Sequence, residues 1–115
     1  MSHKRYANRR DANEPDIIKA LEAIGCTVEA MDKVDLVVGY RGQNYLLEVK
    51  DGSKPPSKRE LTPAQLRLRN SWKGQYSVVT SVDEALAVLK HGAIEQIRKD
   101  MIQSIETSNL GLRGL

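Results

Sequence analysis

Residues 34–50, VDLVVGYRGQNYLLEVK, decide the fold of this 115-residue chain. Residues 34–40 and 44–50 are rich in β-branched, aromatic and other apolar side chains, which are typical of strands. Residues 41–44, RGQN, lie between them and have the composition of a turn. Two strands this close together in sequence predict an antiparallel hairpin.

Three charged side chains interrupt this apolar hairpin at its open end. Side chains alternate between the two faces of a strand, so Glu48 and Lys50 share a face. A two-residue turn at residues 41–42 pairs Asp35 with Glu48, whereas a turn at residues 42–43 pairs Asp35 with Lys50. Either register puts the three charged groups on one face, and a one-residue slip would destroy the arrangement.

Two carboxylates that face a common point suit a hard divalent cation such as Mg²⁺ or Mn²⁺, which prefers oxygen ligands. Such a cation can hold a phosphate oxygen and lower the pKa of a bound water. Lys50 would then assist the water or stabilise developing charge, as in a phosphodiesterase site. The alternative is a cross-strand ion pair of Lys50 with Asp35 or Glu48 at a wet sheet edge, where such pairs contribute only about 0.2–1 kcal/mol.

Helical and strand signals surround the hairpin. Asn13 or Glu14 can cap a first helix, with Pro15 in its opening turn and Gly25 at its end, and residues 26–30 predict a short strand. The sequence TPAQ at residues 62–65 has the pattern of a capping box and opens a second helix that runs to about Trp72 or Lys73. The remaining predicted elements are a strand over 76–80, a helix opened by a second capping box at 81–84 and ended near Gly92, a helix over 93–107, and a tail over 108–115.

Length and composition predict one domain in a reducing compartment. A chain of 115 residues fits a single domain, which we place at residues 13–107 after a flexible basic arm over residues 1–12. A single cysteine, Cys26, excludes an internal disulfide and a multi-cysteine zinc site, and predicts a small core residue. No apolar run approaches the roughly 20 residues of a membrane span, and no secretory signal follows the basic start. We therefore expect a cytoplasmic protein that is not secreted and has no membrane partner.

Basic charge is concentrated in two blocks. Residues 1–10 carry a net +4 and residues 54–73 a net +5, whereas residues 11–53 carry −5 and residues 74–115 carry −1. Basic clusters are a footprint of nucleic-acid binding, although a solvated surface explains them equally well in isolation.

The motif Asp35, twelve intervening residues, then Glu48-Val49-Lys50 resembles the D-x(n)-E-x-K motif of the PD-(D/E)xK nucleases. The resemblance extends over about residues 14–90. It includes the helix that begins LTPAQ at residues 61–65 and the strand YSVV at residues 76–79, which look like the corresponding segments of VRR-NUC nucleases and archaeal-type Holliday-junction resolvases. The resemblance implies a restriction-endonuclease-like α/β fold, with a central mixed sheet of about four strands flanked by helices.

The same resemblance implies roles for individual residues. Asp35, Glu48 and the Val49 backbone carbonyl would hold Mg²⁺ or Mn²⁺, and Lys50 would assist water attack. Glu14, on the inward stripe of the first helix, would stand beside the metal as a ligand or support, although an acid there also suits the helix N-terminus. Gln65 would line the active site, which is compatible with its capping role.

The basic side chains around this centre are candidates for phosphate contacts, which would make DNA binding dependent on salt. The candidate DNA-binding residues are Arg9, Arg10, Lys54, Lys58, Arg59, Arg69 and Lys73. Arg67 is left open, and Trp72 is expected to lie in the core or to anchor its helix to the sheet rather than to stack on bases.

These observations predict a metal-dependent DNA endonuclease that is structure-selective for four-way junctions or other branched DNA, in a prokaryotic or phage-infected cell, with no small-molecule cofactor. The alternatives are a flap- or restriction-type nuclease, a catalytically inactive DNA-binding module on the same fold, and an interaction domain whose charged hairpin is simply surface. Paired cuts at a junction suit a two-fold homodimer. The stripe Ile94, Ile97, Met101 and Ile105 on the last helix could form its interface or could equally cover the sheet.

Overall fold

The computed structural model describes residues 11–113, with the backbone alone for residues 110–113. Residues 11–113 form three α-helices and four strands. In order they are α1 (Glu14–Ala23), β1 (Thr27–Ala30), β2 (Leu36–Tyr40), β3 (Gln43–Val49), a single 3₁₀ turn (Pro56–Lys58), α2 (Pro63–Ser71), β4 (Tyr76–Val79) and α3 (Val82–Arg113). Residues 1–10, and with them most of the expected arm, lie outside the described residues.

The central hairpin adopts the first of the two registers that the sequence allowed. Tyr40 pairs with Gln43 and Leu36 with Leu47, so the loop consists of Arg41 and Gly42 alone. Both loop residues have positive φ, 52° and 77°, as a type I′ turn requires. Asp35, one residue before β2, therefore stands opposite Glu48.

The four strands form one mixed sheet in the order β1-β2-β3-β4. The first three strands are antiparallel, and β4 runs parallel to β3 because α2 provides the crossover between them. The predicted fold class, a mixed four-stranded sheet flanked by helices, is confirmed.

One face of the sheet holds the hydrophobic core. Helices α1 and α3 pack on this face and against each other. Side chains from the helices interlock there with alternate residues of the strands. The fully buried members are Ile17, Leu21, Leu36, Val38, Tyr45, Leu47, Val79, Ala85 and Leu89. The opposite face carries Asp35, Glu48 and Lys50.

Local signals for helix ends were mostly correct. The N-cap of α1 is Asn13, with Pro15 in the first turn, and Gly25 ends the helix with φ 96°. Asn13 makes no capping hydrogen bond with its side chain, however, because its amide is directed to the ends of two strands. Cys26 is buried in the core as expected.

The capping box of α2 is complete, and the helix ends at Ser71, one or two residues before the predicted end. The Thr62 hydroxyl accepts from Gln65 N, and the Gln65 side chain accepts from Thr62 N. The expectation that Trp72 lies in the core was wrong, since the residue is 47% exposed at the end of α2. The indole folds against Gly74, where a Cβ would meet it, instead of entering the core.

The predicted break at Gly92 is absent, and residues 82–113 form one continuous helix. Gly92 is buried where α3 crosses Tyr45, and a Cβ there would overlap the Tyr45 hydroxyl. The glycine therefore serves close packing rather than helix termination. At the start of α3, Ser81 Oγ accepts from Glu84 N, but the Glu84 carboxylate accepts from Thr80 instead of completing the expected box.

None of the helices within residues 11–113 is both long and apolar enough to cross a membrane. Helix α3 continues through residues 108–113, the stretch in which the sequence showed no pattern.

Replacing Gly92 with Ala should destabilise the protein by roughly 1–3 kcal/mol, because the added methyl overpacks the contact with Tyr45. In a helix without this contact, the same change would stabilise the protein by about 1 kcal/mol. The sign of the change in the free energy of unfolding therefore shows whether Gly92 serves close packing. Urea unfolding of Gly92→Ala in the wild-type and Tyr45→Phe backgrounds measures this, and the second background should recover part of the loss. A stabilised Gly92→Ala would contradict the packing role.

Candidate active site

The open end of the hairpin brings the predicted acidic residues together. Asp35 Oδ2 accepts a hydrogen bond of 2.7 Å from the Val49 N–H, which fixes this carboxylate beside β3. Val49 directs its N–H toward Asp35, and in an antiparallel ladder the carbonyl of a residue points to the same side as its N–H. The Val49 carbonyl therefore faces the side of the site on which Asp35 lies.

Glu48 is the most constrained group of the site. Its side chain is only 1% exposed, and neither carboxylate oxygen has a hydrogen-bond donor among the described residues. Burial, together with the adjacent Asp35 carboxylate, raises the pKa of Glu48 to about 8. Lys50 opposes the shift. A buried carboxylate without partners is unfavourable unless a proton or a cation neutralises it.

The Lys50 ammonium is positioned by Gln65. Lys50 Nζ donates to Gln65 Oε1 at 2.9 Å, and the same oxygen accepts from Thr62 N at 2.9 Å. Gln65 therefore caps α2 and binds the lysine at once. An ammonium has three N–H donors, so two remain for other acceptors after the bond to Gln65.

The first turn of α1 abuts the same strand ends. The Asn13 amide donates to the carbonyls of Lys50, at 3.1 Å, and Thr80, at 3.0 Å. It thereby joins α1 to the ends of β3 and β4 in one contact. The next residue, Glu14, is buried, with 2% of its surface exposed, as the inward helical stripe predicted.

Sequence reasoning missed two residues near the carboxylates. Tyr76 starts β4 on the face that carries Glu48, and its hydroxyl is buried without a partner among the described residues. Burial raises the pKa of Tyr76 to about 12, with the charges of Glu48 and Asp35 adding to the effect, so the phenol stays protonated. The alternation of side chains along the predicted strand could have placed Tyr76 on the same face of the sheet as Glu48.

Asp11, which the sequence left in the arm, is half-buried near the site. Desolvation raises its pKa, the charge of Lys54 lowers it, and Asp35 raises it. No pattern around Asp11 in the sequence pointed to this position.

The predicted DNA-binding side chains differ in exposure. Lys54, Lys58, Arg69 and Lys73 are exposed, whereas Arg59 is half-buried and its Nε lacks a partner among the described residues. Arg69 lies close enough to Tyr76 to lower its pKa, which places this guanidinium on the side of the carboxylates. Arg9 and Arg10 lie outside the described residues.

The donor set fits a hard divalent cation that keeps open positions. Within residues 11–113, no cluster of three or more Asp, Glu, His or Cys side chains has the arrangement of a metal cage. Mg²⁺ is usually held by only one or two carboxylates, together with waters and substrate phosphates. Asp35 and Glu48 meet that requirement, and the unpartnered oxygens of Glu48 are the acceptors that a cation would satisfy.

Comparison with known proteins supports the fold. The chain is similar to a solved structure described as a VRR_NUC domain, with 25% sequence identity and a TM-score of 0.52 over 70% of this chain and 98% of that one. No protein-family model matches the sequence, and no curated protein matches it. The likeness supports a VRR-NUC type of fold for the part of the chain that it covers.

The buried Glu48 gives a pH-dependence of stability with a definite sign. The folded state keeps the Glu48 proton up to about pH 8, whereas the unfolded state loses it near the ordinary value of 4.5. Between these values the folded state binds more protons, so the free energy of unfolding should fall as pH rises. In the presence of a chelator, Glu48→Gln should remove this slope and add roughly 1–3 kcal/mol of stability at pH 8.

Denaturant unfolding at pH 5 and pH 8 measures the effect, with the exposed Glu60→Gln as the matched control. The idea is wrong if both variants keep the wild-type slope, because Glu48 would then titrate alike in the folded and unfolded states.

Proposed function

We propose that this chain is a divalent-metal-dependent endonuclease that hydrolyses phosphodiester bonds in DNA, with a preference for branched DNA such as four-way junctions. The observation that carries the proposal is the buried, unpartnered Glu48 beside Asp35, with the Lys50 ammonium held on the same face. Two adjacent carboxylates in this buried setting lower stability unless a proton or a cation neutralises them, and such a pair can serve as ligands of a divalent cation. The likeness to a VRR_NUC domain supports a nuclease of the restriction-endonuclease-like type.

Asp35, Glu48 and the Val49 carbonyl would hold Mg²⁺ or Mn²⁺, with Glu14 as a further ligand or as support for the others. The cation would neutralise charge on the phosphate and make a bound water more acidic. Asp35 is already aligned by the Val49 N–H. Asn13 keeps the α1 turn that carries Glu14 against the strand ends.

Lys50 would orient the attacking water and stabilise charge on the phosphate. Its bond to Gln65 leaves two N–H groups, enough for one water and one phosphate oxygen. A preorganised cation at this position stabilises the charge that develops in the transition state. The protonated Tyr76 hydroxyl is a further donor beside the carboxylates.

Basic residues around this centre would bind the DNA backbone. The loop residues Lys54, Lys58 and Arg59 follow β3, and Arg69 and Lys73 lie on and just after α2, while Arg9 and Arg10 would add contacts from the N-terminus. Contacts to phosphates position the protein on DNA without reading the base sequence, which suits recognition of DNA shape. A homodimer would supply the two centres that paired cuts at a junction need.

Cleavage of labelled duplex, flap, splayed-arm and four-way-junction DNA, with Mg²⁺, Mn²⁺ or EDTA, tests the proposal directly. Wild-type protein should cut branched DNA only with metal, and Asp35→Ala and Lys50→Ala should each lower the rate by at least about 100-fold. The changes Glu22→Ala and Lys99→Ala, at exposed positions away from the site, are the matched controls and should cut normally. Metal-independent cutting, or equal cutting by Asp35→Ala, would sink the mechanism; DNA binding without cutting by any protein would favour the inactive module.

A second pair of variants separates the two roles of Gln65. Thr62→Ala and Gln65→Ala each break the capping box and should lose a similar stability, about 1 kcal/mol. Only Gln65→Ala also releases Lys50, so only this variant should lose cleavage, by roughly tenfold or more in kcat. Single-turnover rates on the preferred substrate measure the difference, and equal rates for the two variants would leave Gln65 with capping alone.

A further inference from the structure

The second half of α3 exposes an apolar surface that the proposed chemistry does not use. We call it the α3 stripe, and its exposed fractions run from 45% to 61%. The members of the α3 stripe are Ile94, Ile97, Met101, Ile102 and Ile105. Soluble monomers rarely leave so many large apolar side chains exposed side by side, and such patches mark interaction sites.

The α3 stripe lies on the wrong side of its helix to cover the sheet. Ala85 and Leu89 mark the side of α3 that packs into the core. Successive helical residues turn by about 100°, so the α3 stripe is centred roughly 140° around the helix from Leu89. The earlier alternative, in which these isoleucines cover the sheet of their own chain, is therefore wrong.

No other segment of the described chain covers the α3 stripe. The last side-chain hydrogen bond from the sheet to α3, within residues 11–113, joins Gln43 to Gln96. The molecule is elongated, 64 Å in its longest dimension, and α3 itself accounts for roughly 48 Å at 1.5 Å per residue. The ten residues before Asp11 are mainly polar or basic, and include only Met1, Tyr6 and Ala7 as apolar or aromatic candidates.

A helix in this position needs a packing partner. Helices of about 15 residues are marginal in water unless an apolar face is packed, and the part of α3 after Arg98 has about that length. Packing of the α3 stripe against a partner would therefore stabilise the second half of α3.

The spacing of the α3 stripe is self-complementary. Ile94 and Ile105 lie equally far from the midpoint between Lys99 and Asp100, and so do Ile97 and Ile102. We propose that two copies of this chain pair through the α3 stripe as antiparallel helices about a two-fold axis at that midpoint. In such a two-fold contact each of these isoleucines would meet an isoleucine of the other copy, whereas Met101 would face Arg98.

The area of the stripe agrees with this pairing. Arg98 also enters the stripe region of the described helix, close to the proposed axis, and its charge is partly offset by an ion pair with Glu95 at 3.0 Å on the same helix. Burying the exposed parts of the five side chains would remove on the order of 400 Å² per chain, about half of a standard interface. The dimer is therefore expected to be concentration-dependent, and it does not rest on the nuclease proposal.

The mass in solution tests the pairing. Sedimentation equilibrium of the full chain over a wide concentration range should show a rise from 12.9 kDa to twice that value. Ile97→Glu and Ile105→Glu should each weaken self-association by at least tenfold, because they place like charges in an apolar contact. Gln103→Glu adds the same charge on the other side of α3 and should dimerise normally. Far-ultraviolet circular dichroism checks that each variant keeps its helices.

Cross-linking tests the direction of the pair. In a Cys26→Ala background, the double variant Ile94→Cys/Ile105→Cys should be linked efficiently by a short bismaleimide. The single variant Ile94→Cys should not, since its two thiols would lie roughly 16 Å apart along the antiparallel axes. A monomer at every concentration, a dimer that survives both glutamate variants, or efficient linking of the single variant would overturn the proposal, whether or not the chain cuts DNA.

Discussion

The register of the β2–β3 hairpin is the constraint on which both faces of the sheet depend. The turn at Arg41-Gly42 fixes Asp35 opposite Glu48, and the same register sends alternate side chains into the core. A shift by one residue would exchange the two sets, burying the charges among isoleucines and leucines and exposing the core residues. One register therefore determines both the packing of the core and the position of the charged residues.

The sheet divides stability and chemistry between its two faces. Helices α1 and α3 supply the packing on one face, including the close approach of Gly92 to Tyr45. On the other face, α2 contributes Gln65, which accepts a hydrogen bond from the Lys50 ammonium beside the buried Glu48. The packing on the core face can offset the destabilisation that the buried, unpartnered Glu48 carboxylate causes on the other face.

Short-range signals were enough for the hairpin, the α2 capping box and the three charged residues of the motif. Each of these depends on a few neighbouring residues, whose turn, cap and parity preferences are local. The features that were misjudged depend on contacts across the fold. Gly92 has the composition of a helix end and acts instead as a packing contact with Tyr45, 47 residues earlier. Asn13 was expected to cap α1, but carbonyls at Lys50 and Thr80 compete for its amide, and Trp72 finds Gly74 rather than the core. Asp11 and Tyr76 join the site only once the strands are assembled.

The state of Glu48 links the protonation, metal and substrate steps of the proposed site. At neutral pH the group holds a proton when nothing else neutralises it, because burial and Asp35 together disfavour a second negative charge. In the proposed metal site, a divalent cation would compete with this proton for the same oxygens, and the affinity for the cation would then rise with pH up to about 8. Lys50 opposes the shift in the pKa of Glu48, and Gln65 holds Lys50, which means that the α2 cap influences the charge state of a carboxylate on β3. The motif residues thus act as one coupled unit, and a change at any one of them should alter the proton and metal affinity of the others.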